Sequence, residues 1–468
     1  MGKLFGTDGI RGRANLYPIT CEIALKTGQA VGLLAQKTGQ SAVVIGKDTR
    51  ESGDMLESAL AAGIACVGVD VLLAGVIPTP GVAYLSTCIE GVGAGIVISA
   101  SHNPYHDNGI KIFGQGGIKL SDAQEAQIES HILEEKSVPR DKVGKISIIS
   151  DSSDVYAGFL LKKFPFRKLD SQDKNRVKNR VKNSPVKIVP IKIVPIKIII
   201  DASNGAASNV SHLVFNDRLF DVQFIHDRPN GININDNCGS QHTRDLKDRV
   251  LREGANIGLA FDGDADRLIA IDERGNEITG DGILAICAKF AKENDQLKNN
   301  IVVSTTMSNI GLTKALEALD IKHLKSDVGD RKVLEEMGRS GAVMGGEDSG
   351  HMIFLQDHTT GDGMLSALKL LEVMVETGKR LSDLASIMVV YPQVLMNVEV
   401  DASRPDFTKI VPIAKAIQEI EDQLLGKGRV LVRYSGTQPL LRVMVEGPDK
   451  KQTQGFCEDI CKAIRENI

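Results

Sequence analysis

The sequence predicts an α/β protein of several domains, built from doubly wound units with mainly parallel strands. Two observations carry this. A chain of 468 residues is too long for a single hydrophobic core. Short apolar runs also alternate with segments of helical period, in stretches that open near residues 20, 196 and 301.

The first alternation follows a glycine-rich polar stretch, Phe5–Arg13, which carries Asp8 and Arg11 and cannot be a helix. Residues 20–37 have helical spacing (Ile23, Thr27, Ala30, Leu34) and stop at Gly39. Ala42–Ile45 reads as a strand, Ser52–Gly68 as a helix and Val69–Leu73 as a strand. Gly95–Ile98 reads as the end of a buried parallel strand. Ile196–Asp201 and Ile301–Ser304 open the second and third alternations.

Composition bounds the function. The chain is 42% hydrophobic and 25% charged with a net charge of −4, so no global basic field points to nucleic acid. No apolar run is long enough to span a membrane. Seven scattered cysteines, without a CxxC pair or zinc spacing, fit reduced and mostly buried thiols in a cytoplasm. Cys457 and Cys461, four apart, can share one core-facing side of a helix. Residues 162–197 differ: they hold twelve Lys/Arg against two Asp. Asn-Arg-Val-Lys repeats at 175–178 and 179–182, and Ile-Val-Pro-Ile-Lys at 188–192 and 193–197. Pro190 and Pro195 keep this stretch out of a central strand. It reads as a solvated insertion, with a basic arm for polyanions as the alternative.

Four motifs carry chemistry. Ile98-Ser-Ala-Ser-His-Asn-Pro104 presents Ser101 at a strand end, where its Oγ can face a cleft; taken alone, it is equally an ordinary turn. Phe261-Asp-Gly-Asp-Ala-Asp-Arg267 follows the apolar run Ile257–Ala260 and can turn three carboxylates toward one hard cation such as Mg²⁺. An EF-hand is excluded because Arg267 stands where that loop needs glycine and a strand leads in. Gly345-Gly-Glu-Asp-Ser-Gly-His351 is alone a weak signal, since glycine-rich turns with charges are common, and Arg433-Tyr-Ser-Gly-Thr-Gln-Pro-Leu-Leu-Arg442 can cradle an anion but is equally an ordinary turn. No Gly-x-Ser-x-Gly elbow surrounds Ser101, which disfavours a serine hydrolase.

Together with Leu4-Phe-Gly-Thr-Asp-Gly-Ile-Arg-Gly12, these motifs resemble the α-D-phosphohexomutase superfamily over nearly the whole chain. Asn233-Ile-Asn-Asp-Asn-Cys-Gly-Ser240 looks like its glucosamine branch. The resemblance implies three related doubly wound α/β domains plus a smaller C-terminal α+β domain around a central cleft. Their expected bounds are 1–150, 151–278 (with the basic insertion at about 170–195), 279–388 and 389–468. It also implies conversion of glucosamine 6-phosphate to glucosamine 1-phosphate through a 1,6-bisphosphate, for UDP-N-acetylglucosamine synthesis.

Residue roles follow by the same resemblance. Ser101 is expected as a phosphoserine. Mg²⁺ is expected on Asp262, Asp264, Asp266 and a phosphate oxygen of Ser101. His102, Lys111, Arg11 and Arg267 match catalytic positions. Asp330, Arg331, Glu347, Ser349 and His351 match substrate-facing positions. Arg433, Ser435, Gly436, Thr437 and Arg442 match the phosphate site. Lys332 stands where this branch usually has Tyr, and Gln438 where the family usually has Glu. The expected partner is a hexosamine phosphate, without nucleic acid or membrane, in a cytoplasmic monomer or homodimer. A phosphomannomutase/phosphoglucomutase and a catalytically silent sugar-phosphate binder are the alternatives.

Overall fold

The structure is a computed structural model. It describes residues 4–6, 8–134, 142–164, 196–216, 220–400, 405–435 and 440–468. The basic insertion at 170–195, with its duplications up to Pro195, and the site candidates Gly436 and Thr437 lie outside the described residues. Two compact units emerge: Met1–Thr306 with Leu324–Ala385, and Met307–His323 with Ser386–Ile468.

The first unit contains three sheets. In the first, β2 (Ala42–Lys47), β3 (Asp70–Val76), β4 (Val92–Ile98) and β6 (Ile146–Ile148) run parallel. Two antiparallel strands, β5 (Asp107–Phe113) and β1 (Ile10–Arg13), complete the order β1-β5-β4-β2-β3-β6. β4 is buried along its whole length, as a strand covered on both faces must be. The expected helices form at Cys21–Lys37, where the Thr20 hydroxyl accepts from the Ile23 N–H, and at Gly53–Cys66. Their apolar sides pack with Val43, Ile45 and Ile96 in one core.

The second sheet, β11-β10-β9-β7-β8, repeats this plan. β7 (Lys197–Asp201), β8 (Asp221–Ile225) and β9 (Ile257–Phe261) are parallel; β10 (Leu268–Asp272) and β11 (Glu277–Ile278) are antiparallel. The third has the order β13-β12-β14-β15. Here β12 (Ile301–Thr305) and β14 (Met344–Gly346) are parallel, β15 (Met352–Phe354) returns antiparallel, and β13 spans Lys322–Ser326. The sheets are thus parallel in their body and antiparallel at one side. The pairs β4–β5, β9–β10 and β14–β15 are hairpins, and their turns hold Ser101, the acidic motif and Glu347–His351.

The second unit carries a small antiparallel sheet, β16-β18-β17 (Gln393–Glu399, Leu440–Glu446 and Arg429–Tyr434). Helices Val411–Leu424 and Lys450–Arg465 cover it. Cys457 and Cys461 share the buried side of the latter with Ile460 and Ile464. All seven cysteines are free thiols, four of them buried. No helix among the described residues is long and apolar enough to cross a membrane.

Candidate active site

Two hairpin turns of the first unit meet at Ser101, and a third joins them through His351 and Asp266. The turn after β4 puts this serine in left-handed backbone, φ 54°, which costs a non-glycine residue about 1–2 kcal/mol. Its side chain is fully buried, and Oγ donates to Asp262 Oδ2 at 2.6 Å. His102 Nδ1 lies 3.3 Å from the same Oγ and 3.4 Å from Arg267 Nη1. Burial first, then the Arg267 and Arg11 cations, push His102 down to about 4, so its imidazole is neutral at pH 7.

The turn after β9 holds Asp262, Asp264 and Asp266, all buried, each with one carboxylate oxygen within 4.8 Å of the others. Its backbone is pinned from three directions: Ala206 N–H donates to Gly263 O (2.8 Å), Thr79 N–H to Asp264 O (2.9 Å) and Gly363 N–H to Ala265 O (3.0 Å). Only glycine fits at 263, because a Cβ there would meet Ser101 O at 2.5 Å. Burial and the Asp266 and Asp264 carboxylates push Asp262 well above the usual carboxylate range. Asp264 Oδ1 and Asp266 Oδ1 are buried without a hydrogen-bond partner. Hard oxygen donors, crowded, buried and partly orphaned, fit a divalent cation such as Mg²⁺.

Lys111, on β5, is buried and lies 2.7 Å from Asp264 Oδ2, 3.2 Å from Asp8 Oδ2 and 3.5 Å from Asp266 Oδ2. Burial opposes its charge, but Asp264, Asp8 and Asp266 outweigh burial and raise it above the ordinary lysine value. It therefore stays cationic. Arg11 reaches the same group through Asp8, at 2.5 Å.

The turn after β14 adds the third domain's side chains. Glu347 Oε1 accepts from Gly329 N–H at 3.0 Å, and the buried Ser349 Oγ has no partner. His351 is buried between two carboxylates, with Nδ1 3.5 Å from Asp266 and Nε2 3.5 Å from Asp330. Asp330 also pairs with Lys119, which reaches back to Asp8. The structure therefore gathers Arg11, Ser101, His102, Lys111, Asp262, Asp264, Asp266, Arg267, Asp330 and His351 into one continuous set of contacts. Arg331 is committed elsewhere: its guanidinium binds Asp122 and grips both Glu125 oxygens at 2.9 Å. Lys119 and Thr79, whose Oγ1 donates to Asp264 Oδ2 at 2.5 Å, join the set without any motif to announce them.

In the second unit, Arg433 on β17 and Arg442 on β18 are directly opposite one another. Arg442 Nε is buried without a hydrogen-bond partner, and Ser435, also buried, donates its N–H to Leu440 O at 2.8 Å. Two facing cations repel unless an anion lies between them.

Profiles described as phosphoglucomutase/phosphomannomutase alpha/beta/alpha domains I, II and III and C-terminal domain match residues 2–139, 177–275, 279–391 and 395–463. The chain belongs to the phosphoglucomutase/phosphomannomutase family. Among relatives of this phosphohexomutase, phosphoglucosamine mutase of Desulforapulum autotrophicum is 59% identical, covering 100% of this chain and 99% of its own. That of Syntrophobacter fumaroxidans is 49% identical, covering 100% of both. The fold matches a phosphoglucomutase/phosphomannomutase family protein of Burkholderia thailandensis with a TM-score of 0.78, at 21% identity over 98% of this chain and 97% of that one. Aspergillus fumigatus N-acetylphosphoglucosamine mutase, in complex with GlcNAc-6P and magnesium, matches at 0.59 with 16% identity, over 99% and 96%.

Proposed function

We propose that this phosphohexomutase interconverts glucosamine 6-phosphate and glucosamine 1-phosphate, with Ser101 carrying the transferred phosphoryl group. The observation that supports this most is the Ser101 hydroxyl, buried at 2.6 Å from Asp262, whose neighbours Asp264 and Asp266 pair with Lys111 and Arg267. Phosphoryl transfer needs in-line positioning and neutralisation of oxygen charge more than it needs a strong base.

In this reading the sugar's O1 attacks phosphorus on phosphorylated Ser101. The P–O1 bond forms, the P–Oγ bond breaks, and Oγ takes up a proton while the sugar hydroxyl gives one up. Neutral His102, beside Oγ, can accept that proton; Lys111, held cationic, and Arg11 favour the developing oxygen charge. The resulting 1,6-bisphosphate reorients, and its 6-phosphoryl group returns to Ser101. Asp262, Asp264, Asp266 and a phosphate oxygen on Ser101 would hold Mg²⁺, which neutralises phosphoryl charge when bound. Glu347 and Ser349 read the sugar, with His351 and Asp330 beside them and Arg331, although tied to Asp122 and Glu125, a further substrate-facing candidate. Arg433, Ser435, Arg442 and the segment with Gly436 and Thr437 hold the phosphate that does not react. The product suits UDP-N-acetylglucosamine synthesis in a cytoplasm, by a monomer or homodimer without nucleic-acid or membrane partners.

Intact mass of purified protein should show one added phosphate, absent from Ser101→Ala, and that variant should lose turnover while keeping its fold. Near-normal turnover of Ser101→Ala would sink the phosphoserine assignment. Coupled assays with glucosamine, glucose and mannose 6-phosphates separate this reading from a phosphomannomutase/phosphoglucomutase, which would prefer the latter two.

A further inference from the structure

The turn after β2, Asp48-Thr-Arg50, and the segment Asn233–Ser240 take no part in the reaction so far. Both are fastened to the backbone that carries Ser101. We infer that Arg50 and Asn235 are positioning residues, which clamp the carbonyls of the Ser101 turn and hold its hydroxyl in line for phosphoryl transfer. This rests on the reading of Ser101 as phosphoryl carrier.

The Arg50 side chain is fully buried, and all five of its N–H donors are used. Nε binds Asp48 Oδ2 at 2.9 Å. Nη2 donates to Ser101 O at 3.0 Å and Asn103 O at 2.8 Å; Nη1 donates to Asp107 O at 3.0 Å and also to Pro104 O. One planar fork therefore gathers four carbonyls of a single turn. Asn235 comes at the same turn from the second sheet: its Nδ2 donates to Ser101 O at 2.8 Å and Asn103 O at 3.0 Å.

The Ser101 carbonyl thus receives two donors, one from each domain, which fills both lone pairs and fixes its peptide plane. That plane sets the direction of a serine already held at positive φ. The clamp is itself anchored. Asn235 N–H donates to Ser203 O (2.9 Å), and Gly239 N–H to Asp201 Oδ2 (2.9 Å). Across the two sheets, Thr49 Oγ1 donates to Asn204 O (2.6 Å) and Glu51 N–H to Gly231 O (2.9 Å). Neither Arg50 nor Asn235 bonds to a carboxylate of the acidic turn or to the sugar loop. They act through Ser101.

Two substitutions isolate the clamp. Asn235 has φ 58°, so Asn235→Gly keeps the backbone while it removes the side chain and with it both donated bonds. Arg50→Lys keeps the charge beside Asp48 but loses the fork. Each is compared with wild type by steady-state kinetics, by single-turnover transfer from phosphorylated enzyme to glucosamine 6-phosphate, and by amide hydrogen exchange across 99–107. We expect kcat and the single-turnover rate to fall at least about tenfold in Asn235→Gly, and further in Arg50→Lys. KM should stay within about threefold, because sugar and phosphate contacts are untouched. Exchange should quicken across 99–107 and little elsewhere. Transfer rates within about twofold of wild type, or a KM that rises as kcat falls, would overturn the clamp. So would a lower melting temperature with unchanged kcat, which marks a merely structural role. Half-buried Asn235 keeps the test open if Arg50→Lys does not fold. Wild type that never carries phosphate on Ser101 would overturn the mutase reading and the clamp with it; a competent wild type with indifferent variants overturns the clamp alone.

Discussion

His358 shows what burial does to an ionisable side chain away from the phosphoryl chemistry. It sits edge-on to Phe159, with ring centroids 5.3 Å apart, and its Nδ1 accepts from Thr360 N–H at 3.3 Å. Burial first, and the nearby Lys163 cation, push it down to about 4. In the unfolded chain the same ring titrates near 6.5. Between those values the unfolded chain binds a proton that the native protein refuses, so stability is full above about pH 6.5 and is lost as pH falls toward 4. The loss is about 3 kcal/mol over the window. His358→Phe should flatten melting temperature against pH between 7.5 and 4.5; parallel wild-type and variant curves would clear His358. Residues of this kind were hidden in the sequence, as were Thr79, Arg50 and the contact of Asn235, which stood in the sequence only within a branch marker. Thr79 meets Asp264 185 positions away, Arg50 meets Ser101 across 51 and Asn235 meets it across 134. The acidic motif was legible because strand, turn and carboxylates lie together in a few consecutive residues, whereas Ser101, alone equally an ordinary turn, was singled out by resemblance.

Each of the four motifs occupies or borders the turn of an antiparallel hairpin: β4–β5, β9–β10, β14–β15 and β17–β18. The sequence reading expected mainly parallel sheets, and the body of each large sheet agrees. The return strands Asp107–Phe113 and Leu268–Asp272 were not legible as antiparallel, since a buried apolar run has the same pattern in either direction. In the last hairpin the register itself makes a prediction. Arg433 and Arg442 face one another, so the pair suits a dianion shared by every hexose phosphate. Arg442→Ala should raise KM for glucosamine, glucose and mannose 6-phosphates by a similar factor, about ten- to a hundredfold for a charged contact of about 1.5–3 kcal/mol. Substrate-dependent factors would move Arg442 from phosphate to sugar recognition.

Across the whole molecule, chemistry is divided between two compact units. The first owns Ser101, the three carboxylates and the sugar turn; the second owns Arg433, Ser435 and Arg442. Each has its own apolar core, the second centred on Val443, Cys457 and Ile460. The resemblance implied four domains and not this grouping, which sets Met307–His323 with Ser386–Ile468, because alternation of strands and helices counts units without saying which of them cohere. The grouping has a thermodynamic consequence. The acidic turn is tied to Thr79, Ala206 and Gly363, so a cation bound there couples three separate segments of the first unit and none of the second. A ligand that binds only the folded state adds RT ln(1 + [L]/Kd), about 2.7 kcal/mol at a hundredfold excess over Kd. Calorimetry should therefore resolve two transitions, and Mg²⁺ should raise only the one belonging to the larger unit, by a few degrees. Asp264→Asn should abolish that rise and leave the other transition where it was. A single transition would show that the units do not unfold independently; two transitions that both ignore Mg²⁺ would remove the cation from the acidic turn.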